Sequence, residues 1–208
     1  MSDQNSSLHT RPLTATWRQG LTIVNLRGNA GNAGNAGNAS NAGFAAGATQ
    51  ALGVALPLAP CSTHAATEAV AGDGLANPNG AVERIVWAGP DEWFVIAAAG
   101  RTDAIERALR TSLADLHHAI TDVGSGYCVL RLSGPPVREV LAQGCPLDLH
   151  PRAYGVGRSA GSHFFKASVL LWQTDSAPHF ELLVRRSFVG YVQLMLQRCT
   201  LECGLSMV

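Results

Sequence analysis

Apolar and polar positions alternate in several short runs, which predict strands, and apolar residues at spacings of three and four predict helices between them. A Gly-Pro-Asp sequence separates two of the strand runs and has the residue types of a tight turn. The elements predicted for the first half are a strand over Leu21 to Leu26, a helix over Phe44 to Leu52, strands over Val82 to Ala88 and Glu92 to Ala98, a helix after Thr102, and a strand over Ala119 to Val123.

The second half repeats this order of elements. Its predicted elements are a strand over Tyr127 to Leu132, a helix after Pro136, strands over Phe164 to Gln173 and His179 to Val184, a helix after Ser187, and a closing edge strand within Leu201 to Val208. Each half therefore has the strand and helix order of a split βαβ module. We predict an α+β fold of two tandem ferredoxin-like (βαββαβ) modules packed together, with a flexible N-terminus over residues 1–20, a first module over 21–123 and a second over 124–208.

Two segments lack a periodic pattern and are predicted to be loops of the first module. Residues 28–43 contain four tandem Gly-Asn-Ala triplets, which offer little apolar surface to bury. Residues 57–80 are interrupted by several glycines and prolines. Neither segment is assigned a function.

The charge of the chain argues against two classes of partner. Fifteen basic and 15 acidic residues give a net charge of zero, so no positive field favours nucleic acid or an anionic membrane surface. No apolar run approaches the roughly 20 residues of a membrane-spanning helix. The polar sequence over Met1 to Thr10 shows no signal peptide, and we expect a cytoplasmic location.

The scarcity of charge suggests a protein partner. Charged residues make up 14% of the chain, against about 25% in an average domain. So few charges cover the surface of a monomer sparsely, and we expect a partner to cover part of it. Fourteen of the 15 basic residues are arginine, which is favoured at interfaces, although a codon bias would produce the same excess.

No catalytic or metal-binding constellation is present in the sequence. The nucleophile elbow, the zinc-protease helix and the phosphate-binding loop are all absent. The five cysteines show no paired spacing of the kind that binds zinc, so we predict no metal site. Trp87 and Trp93 flank the Gly-Pro-Asp turn and are interpreted either as a ligand-stacking patch or as core or partner packing. The candidate interface residues are Trp87, Trp93, Arg152 and Arg186.

Several strings resemble the gamma subunit of heterotetrameric sarcosine oxidase. They are Leu52-Gly53-Val54-Ala55-Leu56-Pro57, Trp87-Ala88-Gly89-Pro90-Asp91-Glu92-Trp93, Cys145-Pro146-Leu147-Asp148-Leu149-His150-Pro151-Arg152 and Phe180-Glu181-Leu182-Leu183-Val184-Arg185-Arg186-Ser187-Phe188. The resemblance extends from about Leu21 to the C-terminus. It departs from the family at the two predicted loops.

This resemblance implies a fold like the folate-binding part of the glycine-cleavage aminomethyltransferase. It also implies a complex of alpha, beta, gamma and delta subunits that oxidatively demethylates sarcosine to glycine, with formation of hydrogen peroxide and a one-carbon unit. FAD, FMN, NAD and tetrahydrofolate would be bound by the alpha and beta subunits, and zinc by the delta subunit. The gamma subunit would be an accessory chain without catalytic residues or a cofactor of its own.

The alternative is a free-standing folate-binding one-carbon transferase or repair factor of the same fold. Such a protein needs a carboxylate that holds the pterin, with aromatic or arginine side chains around it. The residues proposed for this role are Asp122, Arg131, Tyr154 and Arg185.

Overall fold

The computed structural model describes residues 12–30, 39–66 and 82–208. Its contacts divide the chain into two units. The central unit is Gly20–Ser125, and the terminal unit combines the residues up to Gln19 with Gly126–Val208. Both units are mixed α+β structures built on one sheet each. No helix in the described ranges combines the length and the apolar character needed to cross a bilayer.

The central unit is a five-stranded antiparallel sheet in the order β3-β4-β5-β2-β6. Alternate residues of the strands, such as Val24 and Leu26, pack with Phe44 and Ile105 from the two helices in one buried cluster. The elements are β2 (Leu21–Gly28), α1 (Ala39–Leu52), β3 (Thr63–Ala65), β4 (Val82–Gly89), β5 (Glu92–Ala98), α2 (Thr102–Ser112) and β6 (His118–Asp122).

A glycine allows the two helices of the central unit to approach closely. A Cβ atom on Gly47 of α1 would lie 2.9 Å from the backbone oxygen of Ser112 at the end of α2. Real Cβ atoms do not occupy such positions, because the contact is shorter than the sum of the van der Waals radii. The spacing of α1 and α2 therefore depends on the absence of a side chain at this position.

The terminal unit is a six-stranded sheet in the order β11-β1-β7-β10-β9-β8. Strand β11 is parallel to β1, and all other neighbours are antiparallel. Its core contains Leu13, Leu132, Phe164, Phe180 and Val192. The elements are β1 (Leu13–Arg18), β7 (Tyr127–Ser133), α3 (Val137–Ala142), β8 (Ser159–Phe164), β9 (Ala167–Gln173), β10 (Phe180–Arg185), a 3-10 turn (Arg186–Phe188), α4 (Val189–Cys199) and β11 (Leu205–Met207).

The prediction of a flexible N-terminus over residues 1–20 is wrong for the described part of that segment. Leu13–Arg18 forms strand β1, whose Leu13 and Ala15 side chains are fully buried. The strand lies between β7 and β11, where a self-contained second module would have placed its own closing strand. The predicted boundaries of the second module, 124–208, therefore omit a strand. Strand β1 pairs with β7, and its Leu13 and Ala15 side chains pack in the core formed by the C-terminal half of the chain.

Parts of both predicted loops belong to strands or helices in the structure. Gly28 belongs to β2 and α1 begins at Ala39, while residues 31–38 lie outside the described ranges. In the second loop, Thr63–Ala65 forms strand β3, and residues 67–80 are not described. Thr63 is fully buried, and its hydroxyl donates to the Ile85 carbonyl at 2.8 Å, which holds this short strand against β4.

Candidate functional site

A buried carboxylate lies in the middle of β10. Glu181 is only 3% exposed, and its Oε1 atom accepts hydrogen bonds from Nη2 and Nε of Arg131 at 2.7 and 3.0 Å. The same oxygen accepts from Arg18 Nη1 at 3.3 Å, and Oε2 accepts from the indole Nε1 of Trp172 at 3.1 Å. This group, named here the Glu181 network, pairs one buried negative charge with two cations.

Strand register explains why these residues meet. Glu181 lies opposite Arg131 of β7 on one side and opposite Trp172 of β9 on the other. Arg18 arrives from β1, which is the next strand beyond β7. A buried carboxylate is stable only when its oxygens are hydrogen-bonded and its charge is paired. Since both oxygens are engaged by neighbouring strands, the Glu181 network is a structural element that attaches β1 to the sheet.

A second arginine, Arg138 of α3, is held by neutral acceptors. Its Nη1 donates to the carbonyls of Leu149 and Tyr154, the latter at 3.2 Å, and its Nη2 donates to Gln173 Oε1 at 2.7 Å. The guanidinium carbon lies 4.9 Å from the centre of the Phe180 ring. Partial burial lowers the pKa of Arg138, because the charged form loses hydration.

Beside this guanidinium is a cavity of about 410 Å³. We name it the Arg138 cleft. Its walls combine one cation, one amide and several rigid apolar residues, so it suits a ligand group with a negative charge and an apolar flank. The lining residues are Pro135, Arg138, Pro151, Gly155, Val156, Gln173, Ser176 and Pro178.

The central unit carries a polar cluster at the turn between β4 and β5. Glu92 accepts from Arg27 Nη2 at 2.8 Å and from Asn25 Nδ2 at 2.9 Å. The hydrogen bond from Arg27 is the main cause that lowers the pKa of Glu92; Asn25 and the charge of Arg27 add to it, and partial burial opposes it. Asp91 has a positive φ of 59°, and its Oδ1 accepts from the Ala30 amide at 3.2 Å. These contacts fix the turn against the end of β2.

The structure does not bring the proposed folate-binding residues of the terminal unit together. Arg131 belongs to the Glu181 network, and it alternates along β7 with Leu130 and Leu132, which face the core. Tyr154 is buried in that core, where its hydroxyl donates to the Leu171 carbonyl at 2.7 Å. Because successive strand residues face opposite sides of a sheet, Arg131 and Tyr154 lie on different faces. The prediction that Arg131 and Tyr154 line one folate pocket is therefore wrong.

The other two proposed residues have local roles. The guanidinium of Arg185 lies 5.4 Å from the centre of the Tyr127 ring, which is opposite it across the β7–β10 pair. Asp122, in the central unit, accepts a hydrogen bond from the Gly124 amide at 2.8 Å and so closes a turn. The role of Asp122 and Arg185 in holding a folate stays a prediction.

The four candidate interface residues differ in exposure. The prediction is wrong for Trp93, which is fully buried, donates from Nε1 to the Pro57 carbonyl at 2.7 Å and stacks on Phe44. Trp87 is half-buried against the core of the central unit. Arg152 and Arg186 are exposed in the terminal unit, and their role at an interface stays a prediction.

The described residues contain no group of three or more His, Cys, Asp or Glu side chains placed to share a metal ion. All five cysteines are free thiols. Burial raises the pKa of Cys199, and the neighbouring Cys203 adds to this effect. A raised pKa disfavours the thiolate, which is the reactive form of the side chain.

Sequence reasoning did not single out Glu181 or Arg138 as residues of interest. For Glu181 a signal was available, because one acidic residue inside the apolar run Phe180–Val184 must be paired if the strand is buried. For Arg138 no comparable signal exists. Its environment is created by residues 149–156, which follow the helix and fold back over it.

The chain matches a family model. The family described as "Sarcosine oxidase, gamma subunit family" matches residues 36–202. A relative named "Sarcosine oxidase subunit gamma" from an Arthrobacter species is 39% identical over 125 residues, which cover 57% of this chain and 61% of the relative. A relative of the same name from Corynebacterium sp. (strain U-96) is 35% identical over 139 residues, covering 64% and 66%. The matches span about half to two thirds of the length of these relatives.

Two solved structures are similar to this chain over nearly its whole length. One is heterotetrameric sarcosine oxidase from Corynebacterium sp. U-96 in complex with pyrrole 2-carboxylate, with a TM-score of 0.73, 27% identity and coverage of 98% of this chain and 94% of that chain. The other is aminomethyltransferase T of the glycine cleavage system from Bartonella henselae, with a TM-score of 0.61, 12% identity and coverage of 98% and 50%. The second likeness shows the fold alone.

Proposed function

This chain belongs to the sarcosine oxidase gamma subunit family, and from this premise we propose that it is the accessory subunit of a heterotetrameric sarcosine oxidase. In this proposal it assembles with alpha, beta and delta subunits. The complex oxidatively demethylates sarcosine to glycine and forms hydrogen peroxide and a one-carbon unit. The complex works in the cytoplasm.

One observation carries the proposal. The structural match to a heterotetrameric sarcosine oxidase covers 98% of this chain and 94% of the matched chain. A similarity of this extent leaves little of the chain for a separate function. The low fraction of charged residues, 14%, supports a chain that is partly covered by partners.

We propose that the reaction itself takes place on the other subunits. FAD, FMN, NAD and tetrahydrofolate would be bound by the alpha and beta subunits and zinc by the delta subunit. The charged groups of this chain support a structural role, because Glu181 and Glu92 are both engaged by arginines of adjacent strands. A general acid or base needs access to the proton that it transfers, and Glu181 is only 3% exposed. Glu92 is partly exposed, but its carboxylate is already held by Arg27 and Asn25.

We also propose that each unit is a variant of the ferredoxin-like module. In the central unit the strands that flank the helices run in the order β6-β2-β5-β4, antiparallel throughout, which is the order of a split βαβ module. In the terminal unit β7, β10 and β9 keep this order, and β1 takes the position of the closing strand.

Co-expression tests the proposed function. The chain is produced with the alpha, beta and delta subunits of the same organism, with and without an affinity tag on the alpha subunit. We expect the chain to be purified with the tagged subunit in equal amount, and omission of the chain to lower the yield of assembled oxidase. Recovery of a fully active oxidase without this chain, which stays a separate monomer, would contradict the proposal.

The alternative that this chain itself binds folate is tested separately by calorimetry. Tetrahydrofolate is titrated into the purified chain. We expect no saturable heat, since Arg131 and Tyr154 lie on opposite faces of the sheet and Arg185 rests on Tyr127. Stoichiometric binding would show that the chain contains a folate site despite the separation of Arg131 and Tyr154.

A further inference from the structure

The positive charge of Arg138 lacks a counter-ion within the described part of the chain. Its hydrogen-bond acceptors are two backbone carbonyls and one amide oxygen, all of which are neutral. Arg131 and Arg27, in contrast, each pair with a carboxylate. Asp175, near the cleft, directs its Oδ2 to His179 at 2.7 Å instead. A partly buried cation without a counter-ion is unfavourable, so a negative group brought into the cleft would be stabilised.

The contacts of Arg138 also fix its orientation. Nη1 uses its two hydrogens on Leu149 and Tyr154, and Nη2 uses one of its two on Gln173. The Nε hydrogen and the second Nη2 hydrogen have no acceptor among the described residues. The guanidinium carbon lies over the Phe180 ring, 4.9 Å from its centre. A guanidinium that is already immobilised loses little entropy when it binds a carboxylate through its remaining donors.

Most of the rim of the Arg138 cleft is apolar. Pro135, Pro151 and Pro178 line it, and Val156 stands at its edge with 48% of its surface exposed. A central charge surrounded by apolar groups that exclude water is the arrangement of an interaction hot spot. The volume of about 410 Å³ accommodates a side chain with part of its flanking backbone.

We propose that the Arg138 cleft receives an aspartate or glutamate side chain from a partner subunit of the oxidase. The inference rests on the proposed function, since that function supplies the partner. Charge complementarity selects an acidic side chain, and the apolar rim favours a protein segment with apolar neighbours over a small hydrated anion. The carboxylate bonds the free donors of Arg138, and its neighbours cover Val156 and the prolines.

Two substitutions place a competing carboxylate at the cleft without touching the core. Val156→Glu changes an exposed rim residue, and Ser176→Glu changes an exposed lining residue. Leu201→Glu is the matched control, because Leu201 is an apolar residue of the same unit that is 84% exposed and does not line the cleft. The urea midpoint of each purified variant verifies that it is folded.

The measurement is the affinity of each variant for the assembly of alpha, beta and delta subunits immobilised on a biosensor. We expect Val156→Glu and Ser176→Glu to weaken binding on the order of tenfold or more. Leu201→Glu should stay close to the wild-type affinity. Raising the salt concentration should weaken the wild-type chain more than either cleft variant, because screening acts on the charge pair that the variants have lost.

Three outcomes would overturn the inference. If the cleft variants and Leu201→Glu bind equally well, the cleft is not part of the interface, although the proposed function stands. If the wild-type chain does not bind the assembly at all, the proposed function fails and the inference fails with it. If N-methylglycine saturates the isolated wild-type chain in a calorimetric titration and does not bind Val156→Glu, the cleft serves a small carboxylate and not a subunit.

Discussion

Replacing Glu181 by glutamine tests whether the Glu181 network holds the N-terminal strand in the terminal unit. The change keeps the shape of the side chain and removes its charge. Arg131 and Arg18 then lose their shared counter-ion, and the new amide nitrogen faces the indole Nε1 of Trp172, which needs an acceptor. One donor thus opposes another at a buried position.

The magnitude follows from the exposure of the partners. Breaking a fully buried ion pair costs about 3–5 kcal/mol. Glu181 is 3% exposed, but Arg131 is 48% and Arg18 is 18% exposed, so both cations regain part of their hydration. We therefore expect a loss of about 2–3 kcal/mol in the free energy of unfolding. The free energy of unfolding falls by about 2–3 kcal/mol for each molar of urea, so the urea midpoint of Glu181→Gln should be lower by about 1 M.

The assay is urea unfolding of the full chain, followed by tryptophan fluorescence and by hydrogen exchange of the β1 amides. Glu202→Gln is the control, because Glu202 is an exposed acid outside the network. We expect β1 to exchange faster in Glu181→Gln than in the control. A change below about 0.5 kcal/mol with unaltered exchange would refute the reasoning. It would mean that the hydrogen-bond ladder and the burial of Leu13 and Ala15 hold β1 without help from the charges.

Three further changes test other parts of the structure. Gly47→Ala should destabilise the chain by about 1–3 kcal/mol in urea unfolding, because its Cβ meets the Ser112 oxygen at 2.9 Å. Glu92→Gln should lower stability at pH 7 and have a smaller effect as the pH falls below 4.5. The hydrogen bond from Arg27 lowers the pKa of Glu92 in the folded chain from its ordinary value of 4.5, so the stabilisation is fully present above that value and is lost as the pH falls through the lowered pKa. Trp93→Phe should cost about 1–3 kcal/mol in thermal unfolding, since it removes the hydrogen bond to Pro57 and leaves a void.

Two of these changes have a control variant within the chain, and each has an outcome that would contradict it. Gly190→Ala in α4 meets no atom within 4 Å and should stabilise by up to about 1 kcal/mol through helix propensity; equal effects at both glycines would contradict the close approach of α1 and α2. For Glu92, a pH-independent difference would contradict the ion pair with Arg27. For Trp93, the control is Trp87→Phe. If Trp87→Phe lowered the stability of the chain more than Trp93→Phe, the assignment of Trp93 to the core would be contradicted.

Elements with a strong local pattern were predicted well from the sequence. The strands before and after the Gly-Pro-Asp turn are β4 and β5, and the predicted helix after Thr102 is α2, which begins at that residue. Alternation and the helical spacing are local properties, so they can be read without knowledge of the partner. Strand β1 was missed because its six residues carry only two fully buried aliphatic side chains, Leu13 and Ala15.

The candidate sites were predicted less well from the sequence than the fold was. The amino-acid sequence by itself determined the mixed α+β class, most of the strands and helices and, through its family-specific strings, the family. Only the tertiary structure decided that Glu181 contacts Arg131, that Trp93 belongs to the core, and that Arg138 lies beside a cleft with no counter-ion among the described residues. The physical reason is that periodicity arises from neighbours along the chain, whereas the pairing of a charge depends on strand register and on loops that fold back from distant positions.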